Sequence, residues 1–190
     1  DSRGLLHILK GLLFPGEPMD SLSVLKERNW DSTSAYLPLF GLSLVFAYLD
    51  REKNWLRRLL LILGVMTLSP ILESVFLLFA QIYQRWWYMF VMMMALATMK
   101  VAESPEKYRM TRGCLLYIVI LTAFYFLVRY MPWNSKGESV VYHELRFLFF
   151  YLIALSGPVI LILLKKLRRF CYRPLLGLTM VSCVLTTSIT

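Results

Sequence analysis

Every second connection between the apolar stretches of this chain is dense in lysine and arginine. That alternation constrains the fold more than any other feature. Six apolar stretches occur, at 33–49, 59–80, 86–99, 113–130, 147–164 and 174–190. A helix needs roughly 20 mostly apolar residues to cross the hydrocarbon of a bilayer. Run length, and the lack of period-two alternation, predict helices and not barrel strands. The expected fold class is therefore all-α: a polytopic transmembrane helix bundle of about six spans. The chain opens on Asp1 and stops at Thr190 within an apolar run, which reads as a piece truncated at both ends.

The connection at 50–58 holds Arg51, Lys53, Arg57 and Arg58; that at 100–112 holds Lys100, Lys107, Arg109 and Arg112. The connection at 165–173 holds Lys165, Lys166, Arg168, Arg169 and Arg173. The intervening connections hold only Arg85, and then Arg129, Lys136 and Arg146. The positive-inside rule places the three rich loops in the cytoplasm. It also accounts for the formal net charge of +9. Those cations face anionic lipid headgroups, so nucleic acid is not needed as a partner and membrane lipids are. With 58% hydrophobic and 17% charged residues, the chain departs from a soluble domain, at about 45–50% and 25%. A cytosolic enzyme, a disordered tail and a disulfide-stapled secreted module are excluded on that balance.

Residues 1–32 then fall outside the cell, as an interfacial segment followed by a loop. Leu5, Leu6, Ile8, Leu9, Leu12 and Leu13 form an apolar stripe interrupted by His7 and Lys10, and Pro15 and Pro18 end any helix there. Such a segment lies flat on the outer leaflet or is the tail of a preceding span. Pro38 and Pro158 mark possible helix breaks, and Gly41 and Ser43 permit close helix contact without a GxxxG pattern.

The candidate site comes from a depth argument. Counting about 20 residues outward from Arg58, and the same number back from Lys100, sets the outer edge of the hydrocarbon. Glu73 and Arg85 each fall about five residues inside it, roughly 7–8 Å deep. Opposite charges at equal depth on adjacent antiparallel helices suggest a pair, since an ion in hydrocarbon is costly. Two readings follow. In one, Arg85 snorkels to the interface and Glu73 faces a wet cleft. In the other, Arg85 and the start of the third helix face a lipid phosphate, which guanidinium groups and helix N-termini suit.

Other chemistry is sparse. Cys114, Cys171 and Cys183 lack metal-ligand spacing, and His7 and His143 join no cluster, so no metal site is expected. Met92, Met93 and Met94 read as adaptable packing. No nucleotide, serine-hydrolase or zinc-protease motif appears. Asp20, Asp31, Glu138 and Glu144 are external carboxylates that no spacing singles out, and the catalytic residues and cofactors are left unassigned.

Two stretches, LLFPGEP…NWDSTSAYLPLFGLSLVFAYL (12–49) and LSPILESVFLLFAQIYQRWWYMFVMMMALAT (68–98), together with the basic connection between them, resemble the C-terminal half of the YfhO family of bacterial membrane proteins. The likeness spans about residues 10–100. Its most distinctive element is Arg85 followed by Trp86, Trp87 and Tyr88, after a Pro-containing helix end at Pro70. The resemblance implies a glycosyltransferase of GT-C type, using a polyprenyl-phosphate sugar to modify cell-envelope material at the outer face of the plasma membrane. Arg85, Trp86, Trp87 and Tyr88 match the family pattern and Glu73 departs from it. The family's catalytic acid lies in an external loop that the resemblance places upstream of this chain, so no catalytic residue is carried over. A membrane transporter or lipid flippase, and a non-catalytic membrane scaffold, are the alternatives.

Overall fold

The computed structural model describes residues 2–17, 23–25, 34–69, 87–130, 139–167 and 172–189. Among these the chain is all helical. Seven helices follow one another: α1 (Ser2–Leu13), α2 (Ser43–Arg51), α3 (Trp55–Leu68), α4 (Trp87–Glu103), α5 (Met110–Tyr130), α6 (Glu144–Lys166) and α7 (Tyr172–Ile189). An isolated antiparallel bridge joins Leu25 to Val141.

The expected spans at 113–130 and 147–164 are α5 and α6, each a few residues longer than the apolar run. These are the two described helices long and apolar enough to cross a membrane. At about 1.5 Å per residue both exceed the roughly 30 Å of a hydrocarbon core. Only 39% and 33% of their most apolar windows is buried. Leu116, Val119, Phe126 and Leu127 on α5, and Phe149 and Leu152 on α6, therefore point outward. Apolar side chains turned outward on this scale need an apolar partner or solvent. The span at 174–190 corresponds to α7, which holds a shorter apolar stretch, Pro174–Thr186.

The span at 59–80 begins earlier than its apolar run, because Asn54 caps α3: its Oδ1 accepts the Arg57 N–H at 3.3 Å. The half of that span beyond Ser69, with Pro70 and Glu73, lies outside the described residues.

The stretch at 33–49 departs from expectation. It is not one helix; helix begins only at Ser43. Residues 34–37 have no regular structure and 38–42 form turns. Pro38 lacks a donor and biases Leu37 away from the helical region. Leu39 (φ 68°) and Gly41 (φ 51°) are left-handed. At Gly41 a Cβ would sit 2.6 Å from the Tyr117 ring, so no side chain fits there. Irregular backbone at apolar depth is tolerated only where protein satisfies its polar groups. Here the Ala35 N–H donates to Gly11 O (2.7 Å), and the Gly41 N–H donates to Leu37 O (2.7 Å). The Ser34 hydroxyl donates to Phe14 O (3.0 Å).

Packing follows from small residues. α2 packs most extensively on α5, where Gly113 meets the Ser43 carbonyl and Ala47. α6 packs on α5, and its Gly157 abuts the Leu39 carbonyl. α4 packs on α2 and α3. The buried side chains fall into two clusters. One gathers Tyr48, Leu56, Val101, Tyr108, Met110 and Leu161. The other is aromatic, with Phe14, Phe124, Tyr125 and Phe147.

The N-terminal apolar stripe is helical and docks inside the bundle against α3. The Tyr117 hydroxyl donates to Leu13 O at 3.0 Å, and the Phe14 ring packs on Phe124 and Phe147 with centroids 5.9 and 5.5 Å away.

Candidate functional site

Of the residues singled out from the sequence, Glu73, Arg85 and Trp86 lie outside the described residues. Trp87 and Tyr88 open α4. Trp87 is buried in the core and Tyr88 is 70% exposed. Neighbouring positions on a helix diverge by about 100°, so the two rings serve different surroundings and do not form one continuous platform.

Two other features come together around α1. One is an apolar groove of ≈ 320 Å³. Leu9, Leu12 and Leu13 of α1 form one wall; Leu61, Gly64, Val65 and Leu68 of α3 form another. Every lining residue is an apolar side chain or glycine. Leu61, Val65 and Leu68 are also exposed, so the groove opens onto the outward apolar surface of α3. A volume of this order is that of a small-molecule site. With no polar atom to fix a headgroup, it suits a hydrocarbon chain.

The second feature is a buried ion pair. Lys10 Nζ lies 3.0 Å from Glu17 Oε1, with side-chain exposures of 5% and 0%. Lys10 also donates to Ser23 Oγ at 3.3 Å, and the Val24 N–H donates to Glu17 Oε1 at 2.8 Å. Glu17 Oε2 is buried without a hydrogen-bond partner among the described residues. His7, one turn before Lys10 on the same face of α1, is also buried. At about 3.6 residues per turn Leu12 points away from this polar face, while Leu13, one turn after Lys10, flanks it, so α1 contributes to both the ion pair and the groove. In the sequence Lys10 stands out only as an interruption of the apolar stripe. The signal was present: His7 and Lys10, at i and i+3, put two polar groups on a helix otherwise made for burial.

At the other end, the connections at 50–58 and 100–112 meet. Glu52 Oε1 accepts from Lys107 Nζ (2.6 Å) and from the Tyr108 hydroxyl (2.9 Å). Tyr48 stacks on Tyr108 (5.9 Å, 26°) and its hydroxyl donates to Asn54 Oδ1 at 2.8 Å. Arg112 lies 3.8 Å from Asp50. Tyr125 stacks on Phe147 and Tyr151 with centroids 5.0 and 4.4 Å away, so α6 runs antiparallel to α5 and its basic end at Lys165 and Lys166 returns toward the start of α5. Hydrogen bonds from Lys107, then from Tyr108, hold the Glu52 carboxyl below its ordinary value. The same Lys107 contact raises the ammonium.

The sign for Glu52 follows from that direction. The carboxyl is depressed, so the tie is fully present above the ordinary carboxylate pKa of about 4.3 and is lost as pH falls through the lower folded value. For Lys107 the tie is present below about 10.4 and is lost as pH rises through the raised value. Spin labels on the two loops should separate on acidification of the parent below about pH 4. Glu52→Gln should give the separated distance at neutral pH and no acid transition. An unchanged transition in Glu52→Gln would assign it to another group.

Among the described residues no group of three or more His, Cys, Asp and Glu side chains is placed to hold a metal ion. No protein-family profile, curated protein or solved structure matches this chain.

Proposed function

We propose that this chain is a multi-pass protein of a bacterial plasma membrane that handles a lipid-linked substrate. In this reading it crosses six times, with the connections at 50–58, 100–112 and 165–173 in the cytoplasm. It forms part of a glycosyltransferase that uses a polyprenyl-phosphate sugar on cell-envelope material at the outer face. The groove between α1 and α3 carries the reading, because its all-apolar wall and lateral opening suit a polyprenyl chain entering from the bilayer. The meeting of the basic connections at one end supports the orientation, and the resemblance at 12–49 and 68–98 supplies the glycosyl-transfer chemistry. Arg85, with Trp86, Trp87 and Tyr88, remains the proposed contact for the lipid phosphate, and Glu73 its proposed neighbour.

Gly64 gives a direct test. It lines the groove, and a Cβ there meets no atom within 4 Å. Gly64→Trp should therefore fold normally and fill the groove. Each buried methylene contributes about 0.8 kcal/mol, so excluding two of them weakens a polyprenyl phosphate about tenfold. Binding to protein in phosphatidylcholine nanodiscs measures this, and parent-like affinity in Gly64→Trp would remove the groove from the reading.

The interrupted backbone at 34–42 favours a second reading, a transporter or flippase, since broken segments buried at membrane depth are typical of such proteins. Transbilayer movement of a fluorescent lipid by the purified chain, without any glycosyl acceptor, would select it.

A further inference from the structure

Glu17 uses one of its two carboxylate oxygens. Oε1 accepts from the Lys10 ammonium and the Val24 amide, while Oε2, equally buried, has no hydrogen-bond partner among the described residues. The Ser23 hydroxyl is bonded to the same ammonium. A cation and a backbone amide therefore meet at a single anionic oxygen, with the Ser23 hydroxyl on the other side of the same ammonium. Such donors also hold phosphoryl oxygens, which form short charge-assisted bonds with ammonium and amide groups. A buried carboxylate with half of its capacity unmet fills this site poorly, because buried acceptors are nearly always paired.

The segment carrying these groups is clipped to the residues just ahead of α6. Val24 O accepts the Tyr142 N–H at 2.8 Å, and Leu25 pairs with Val141 just ahead of α6. Val24 and Leu25 also share a buried cluster with Val140, Val141 and Phe147, so apolar packing holds this segment to the start of α6, and the Glu17 contacts with Lys10 and Val24 tie it to α1.

We propose that Lys10, Ser23 and the Val24 amide form an anion site that Glu17 occupies as an internal stand-in, and that takes a phosphoryl group when Glu17 withdraws. The exchange replaces one anion by another beside Lys10, so the charge balance of the buried site is kept. The ligand is a phosphate ester or free phosphate. Its assignment to a lipid-linked phosphate rests on the function proposed above.

The test uses the full chain in phosphatidylcholine nanodiscs with two probes, inorganic phosphate and undecaprenyl phosphate. Cys114, Cys171 and Cys183 are replaced by alanine, and Leu25→Cys and Val141→Cys are introduced. Directly opposed residues have Cβ atoms about 4.5–5.5 Å apart, within reach of a disulfide after small adjustment. Oxidation should abolish binding of the ligand and reduction restore it, with no charge altered. In the unlocked protein Glu17→Gln should bind about tenfold tighter, the change expected when an internal competitor is removed. Adding Lys10→Met should remove that binding.

Binding that ignores both the lock and Glu17, or binding of neither probe, overturns the site. If inorganic phosphate binds with the expected dependence and undecaprenyl phosphate does not, the anion site stands and the lipid-linked reading fails. If undecaprenyl phosphate binds regardless of lock and Glu17, the lipid-linked reading survives and this site is rejected.

Discussion

Lys10→Met lowers the stability of the folded chain by about 3–5 kcal/mol, while Lys10→Met combined with Glu17→Leu restores most of it. The asymmetry comes from desolvation. In the parent, the ammonium and carboxylate, 5% and 0% exposed, offset each other at 3.0 Å. Removing Lys10 takes the ammonium away from a fully buried Glu17 carboxylate, whereas removing both charges leaves an apolar pair that packs. Single and double variants compared by unfolding in detergent micelles give the coupling directly. A single-variant loss below about 1 kcal/mol is what a solvent-exposed pair gives, and it would contradict the burial on which the anion site depends.

Gly113→Leu is the second large effect. A Cβ at this position falls 2.7 Å from Ala47 N and 2.8 Å from Ala47 Cβ, and closer still to the Ser43 carbonyl. These are mostly backbone atoms of α2, which cannot rotate aside as the end of a long side chain does. Inserting methylenes into packed sites costs about 1–3 kcal/mol and sometimes more, and the backbone obstruction puts this variant at the upper end. Separation of α2 from α5 should accompany the loss, because this contact lies in the most extensive helix pair of the bundle. Gly177→Leu is the matched control: no atom lies within 4 Å of its Cβ, and its stability should match the parent. Equal losses in the two variants would mean that α2 and α5 do not pack as described.

Features set by a long, uniform physical cause were legible in the residues. α5 and α6 follow from hydropathy alone, since a helix satisfies its own backbone wherever it lies. The shared end of the three basic connections follows from charge parity, and the Glu52 contacts with Lys107 and Tyr108 agree with it. What escaped depends on partners distant in sequence. Pro38 announced a break, but the left-handed Gly41 is fitted against Tyr117, 76 residues beyond it, and Leu39 against Gly157, which no local pattern encodes. Lys10 on an apolar helix reads equally well as a snorkelling cation. Its burial is decided by Glu17, just beyond Pro15 and Gly16, and by Ser23. The groove needs the registration of α1 against α3, a tertiary fact. Arg85 and Glu73 were chosen by depth counting, and their surroundings lie outside the described residues.

The most direct measurement is the sidedness of the two ends of α5 and its neighbours in intact cells. In a background with Cys114, Cys171 and Cys183 replaced by alanine, Glu106→Cys probes the connection ahead of α5, and Glu144→Cys probes the start of α6; both native side chains are exposed. A membrane-impermeant maleimide should label position 144 in intact cells, and position 106 only after lysis. Labelling of 106 but not 144 would invert the membrane map, and labelling of both from outside would mean that α5 does not cross the bilayer.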